Sequence, residues 1–146
     1  MEVNEQVTVQ GRFRLFVYRS GVLIEKMEDH NLVVLMAKRI LARLAGGASS
    51  SNPITRVAVG TNGSSPVPTD TQITGAYTKG FDSVSYPADG QVCFSWTLGA
   101  DEANGKQIRE FGLLTGDGSL FARKTREQAL IKASDITICG QWTISF

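Results

Sequence analysis

Apolar and polar residues alternate from Gln10 onward, and the alternation predicts an extended hairpin over Gln10–Met27. Phe13, Leu15 and Val17 fall on one face of its first strand, and Arg12, Arg14, Phe16 and Tyr18 on the other. Ser20-Gly21 fits a two-residue turn, after which Val22-Leu23-Ile24 restarts an extended run. The apolar second face, at Phe16 and Tyr18, calls for a cover from a helix or a neighbouring subunit. The pattern then changes period. Leu32 to Ala45 is rich in helix formers, with Asp29 or Asn31 as the expected cap and Gly46-Gly47 as the stop. Only Lys38, Arg39 and Arg43 interrupt its apolar surface, which predicts a mostly buried helix with a thin basic stripe toward water or a partner.

Beyond an irregular connection at residues 48–53, Ile54 to Gly60 reads as a short strand. Thr61 to Thr71 holds Pro66 and Pro68 and has no periodicity; a loop of this length is expected to be functional or mobile, a candidate contact arm. Residues 76–86 and 91–98 read as two strands, the second with Val92, Phe94, Trp96 and Leu98 on one face and Cys93, Ser95 and Thr97 on the other. A turn at residues 101–105 follows, then a hairpin, 108–114 with 119–124, around Gly116-Asp117-Gly118. The last strand places Ile136, Ile138, Trp142, Ile144 and Phe146 on a core face. Many short antiparallel strands and one helix (about 32–45) predict a mainly β fold, an antiparallel β-sandwich with one packed helix. The expected organisation is an N-terminal arm, 1–9, and a single domain, 10–146.

Composition narrows the function classes. The 146 residues suit one domain with a real core, and 42% hydrophobic with 20% charged residues argues against disorder. The net charge of +1 supplies no field to draw in nucleic acid or an anionic membrane, so neither is an expected partner. Residues 1–10 lack the basic start and apolar run of a signal peptide, and 32–45 is too short and too charged to span a bilayer. Synthesis in cytoplasm is the expectation.

Candidate chemistry is sparse. His30 is the sole histidine, within Glu28-Asp29-His30-Asn31, where helix capping and solvent exposure explain the side chains. Cys93 and Cys139 exclude a Cys-x-x-Cys pair; free thiols are the ordinary expectation and a disulfide the sharper one. Asp101-Glu102 and Asp117 lack the spacing of a calcium loop, and Gly60-Thr-Asn-Gly63 lacks the lysine and helix of a phosphate loop. Gly112 and Gly116 read as backbone necessities, and Trp96 and Trp142 as core. No catalytic set, metal site or cofactor is expected, and the chain is read as a non-enzyme.

Three segments together are similar to small virion proteins of tailed bacteriophages, of the tail-fibre, baseplate and collar type. They are His30-Asn-Leu-Val-Val34 leading into Ala37-Lys-Arg-Ile-Leu-Ala-Arg-Leu-Ala-Gly-Gly47, then Ile54-Thr-Arg-Val-Ala-Val-Gly-Thr-Asn-Gly63 with its Pro/Thr-rich loop. The third runs from Ala103-Asn-Gly-Lys-Gln-Ile-Arg-Glu-Phe-Gly-Leu-Leu114 through Gly118-Ser-Leu-Phe-Ala-Arg123 and Lys132 to Gln141-Trp-Thr-Ile-Ser-Phe146. This resemblance implies a β-rich structural subunit, located in the virion and assembled as a ring or trimer with other virion proteins, in an adaptor or decorating role. It carries over no catalytic or metal-binding residue. The expected subunit contacts are Phe16, Tyr18, Arg39, Arg43, Pro66, Pro68, Cys93 and Cys139. The alternative is a carbohydrate- or receptor-binding β-module using Tyr77, Phe81 and Tyr86.

Overall fold

In a computed structural model of the protein, the described residues are 8–48 and 52–146. Most of the expected N-terminal arm, residues 1–7, and the centre of the 48–53 connection lie outside them. The elements are β1 (Gln10–Arg19), β2 (Val22–Val33), α1 (Met36–Gly46), β3 (Ile54–Gly60), β4 (Tyr77–Gly80), β5 (Ser83–Ser85), β6 (Gln91–Leu98), β7 (Gln107–Thr115), β8 (Leu120–Ile131) and β9 (Ile136–Ser145). The mainly β class and the single helix agree with the sequence reading. The strands form one curled antiparallel sheet, a half-barrel, in the order β4-β3-β7-β8-β2-β1-β9-β6-β5. Its edge strands β4 and β5 are consecutive in the chain, with only Phe81 and Asp82 between them. Three Cα–Cα steps span at most about 11 Å, so this connection holds the two edges of the sheet close together.

The concave face is the core. Phe13, Leu15 and Val17 of β1 meet Trp142 of β9, Trp96 of β6 and Phe111 of β7, all fully buried. Phe13 packs at 4.8 Å from Phe111 and edge-on at 4.9 Å from Trp142, ring centre to ring centre, an arrangement that aromatic quadrupoles favour. Gly140 is required beneath this cluster, because a Cβ there would lie 2.1 Å from the Trp96 ring. The alternation read in β1, β6 and β9 survives intact, except that Phe146 follows the last strand and stays half exposed instead of entering the core.

The helix departs from expectation at its start. Leu32 and Val33 finish β2, pairing with Arg123 and Ala122 of β8, and the Val34 N–H donates to the Phe121 carbonyl. Sheet pairing here overrides helix propensity in a segment with two adjacent β-branched residues. Asp29 and Asn31 therefore cap nothing; the Asn31 side chain accepts the Trp142 indole N–H at 2.7 Å. At the helix start, no side chain caps α1, and the Leu35 N–H donates to the Pro68 carbonyl. Gly47 ends it in the left-handed region, as its sequence position predicts. Only Ala37 and Ile40 are buried, so α1 is a surface helix rather than a mostly buried one. The predicted strand over 76–86 is two short strands, β4 and β5, broken at Phe81-Asp82 where the chain passes from one sheet edge to the other.

Candidate functional site

An apolar groove of about 720 Å³ lies between α1 and the β5–β6 edge. Ile40, Leu41 and Leu44 form its helical wall; Val84, Tyr86 and Val92 form the opposite one, with Phe146 beside them. Tyr86 is 77% exposed and Phe146 47% exposed, so the groove offers aromatic surface to a partner rather than hiding it. Asp89 and Gln91 are polar groups of its lining. The groove lies where Gln91 of β6 and Gln10 of β1 both pair with Ser145 of β9, at one end of the curled sheet.

Opposite it lies a second apolar feature. The β1–β2 turn carries Val22, Leu23 and Ile24, which are 65%, 48% and 50% exposed. Arg19, beside the turn, pairs with Ile136 at the other end of β9. Ser20 adopts a positive φ of 48° and Gly21 one of 81°, the geometry of a tight hairpin turn.

The loop expected to be a contact arm is fastened to the sheet from beneath. Arg123, 2% exposed, donates to Asp70 and to the Ser64 carbonyl at 3.0 Å each and to the Asn62 carbonyl at 2.9 Å, and pairs with buried Glu110 at 3.4 Å. Glu110 accepts the backbone N–H groups of Asn62 and Thr74. Ile73 plugs the loop onto the sheet, seated over Gly60 and Gly112, where a Cβ would approach it to 2.5 and 2.6 Å. Pro66 is half-buried, and exposed Pro68 gives its carbonyl to the helix start. Sequence reasoning missed this network. Its signal was the unbroken apolar run Phe111-Gly-Leu-Leu114, which implies a strand covered on both faces.

The remaining predicted contact residues scatter over the convex face and the helix. Phe16 is half-buried under its own strand and its neighbour β2: Arg14 and Lys26 lie 5.3 and 5.8 Å from its ring centre. Such cation–π cover accounts for an aromatic residue on a solvent-facing strand. Tyr18 is likewise half-buried on that face. Arg39 is exposed and Arg43 half-buried, lining a small polar cleft with Asn52, Asp117 and Ser119. Cys93 and Cys139 are free and half-buried; Cys139 pairs with Thr97, four residues along β6 from Cys93. That offset is about 13 Å along the strand, beyond the reach of a disulfide within one chain. Trp96 and Trp142 are core, as expected. Of the three aromatic residues proposed for a sugar site, Tyr77 donates its hydroxyl to Glu102, Phe81 packs on Phe94, and only Tyr86 is open.

Several titratable groups are bonded within the fold. His30 is exposed on β2, not at a helix start. Glu102 accepts Lys79 at 2.6 Å, and this bond holds its carboxyl below the usual range, while burial raises the Tyr77 phenol. Lys132 is buried with its amine on Asn104 Oδ1 and the Ala133 carbonyl, and desolvation lowers its pKa. These bonds tie the 99–106 turn to β4 and to the end of β8. Among the described residues, no group of three or more His, Cys, Asp or Glu could hold a metal ion, and no helix is long and apolar enough to cross a membrane. Comparison of the chain with protein-family models, curated proteins and solved structures finds no match.

Proposed function

We propose that the chain is a non-enzymatic structural subunit of a tailed-phage virion, assembling with copies of itself on the tail, baseplate or collar as an adaptor or decorating protein. The observation that carries the assembly part is the apolar groove, with Tyr86 and Phe146 left open to solvent at its wall. Exposed aromatic surface rimmed by polar groups is what a protein contact uses, and aromatic anchors dominate such contacts. The phage part rests on the resemblance of the three sequence segments. In this reading the two limbs of the curled sheet serve as the layers of a sandwich, the partners are other virion proteins, and neither nucleic acid nor membrane is engaged. Light scattering of the purified protein, with and without reductant, tests it. The expected mass is a multiple of 15.8 kDa. Loss of that mass on reduction would place Cys93 or Cys139 at the contact, and a monomer at every concentration would contradict self-assembly.

A carbohydrate- or receptor-binding module is the second reading, favoured by one observation. Tyr86 is open beside Asp89 and Gln91, an aromatic face with hydrogen-bonding neighbours. A glycan array without hits for the wild-type chain would remove it.

A further inference from the structure

We draw no further inference here: the strongest candidate, the apolar groove between α1 and the β5–β6 edge, belongs to the site already described, and nothing in the structure shows what covers it.

Discussion

The β1–β2 tip and the 61–74 loop both project from the sheet, and their chemistry is the reverse of what their sequences announce. The loop is rich in Ser, Thr and Pro, yet buried Arg123, Glu110 and Ile73 hold it against β7 and β8. The tip reads as ordinary strand, yet it leaves Val22, Leu23 and Ile24 in water. Composition reports what a segment could do when free. Whether it is free depends on partners far along the chain: Arg123 lies 53 residues from Asp70. A segment pinned by buried ions belongs to the fold, even where one aliphatic side chain, Val67, stays exposed; the tip keeps three in a row in water.

The contrast makes predictions of decreasing size. Arg123→Met should be the most damaging change, costing about 3–5 kcal/mol, because it leaves Glu110 buried without its cation. Chemical denaturation measures this, and limited proteolysis should then cut within 61–74. Ile73→Ala should cost about 2–4 kcal/mol by the same denaturation, since it empties the seat over Gly60 and Gly112. Gly112→Ala forces that seat from the other side; its cost should be about 1–3 kcal/mol, read as a lower melting temperature with the loop still resistant to protease.

Smaller still is the acid dependence of the seam between β2 and β8. There the backbone bonding covers only Leu32 to Val34, and side chains bridge farther along. A hydrogen bond from Arg126 lowers the Glu25 pKa, and one from Lys124 lowers that of Asp29. Carboxyls depressed in the folded state stabilise it above their ordinary pKa of about 4, and that contribution is lost as pH falls through the folded values. Both groups are substantially exposed, so the loss should stay below about 1 kcal/mol. Melting curves from pH 7 to 3 should show it, and Glu25→Gln with Asp29→Asn should flatten the acid slope. Least of all, Leu23→Asp should change monomer stability by no more than about 0.5 kcal/mol, measured in dilute solution.

Much of the sheet was legible. The alternation in β1, β6 and β9 and the turns at Ser20-Gly21 and Gly116–Gly118 depend on local chemistry, and the structure keeps them. The helix start was not legible, because Leu32 to Val34 adjoin a run of helix formers but bond with β8, about ninety residues later. Nor could the groove be read, since its lining comes from α1, from Pro53-Ile54, from residues 84–94, from Phe121 and from Phe146, five separate stretches whose meeting is set by the curl of the sheet. Of the expected contacts, Arg39 and Arg43 share a helix face, but none of the eight residues lines the groove.

Hydrogen exchange followed over a range of protein concentrations tests the account most directly. The loop amides bonded within the chain, those of Thr61, Asn62, Ser64, Val67, Asp70 and Thr74, should be protected equally at every concentration. The groove wall, 84–92, should gain protection as concentration rises. Equal exchange of the groove wall at all concentrations, or concentration-dependent protection of the loop alone, would contradict it.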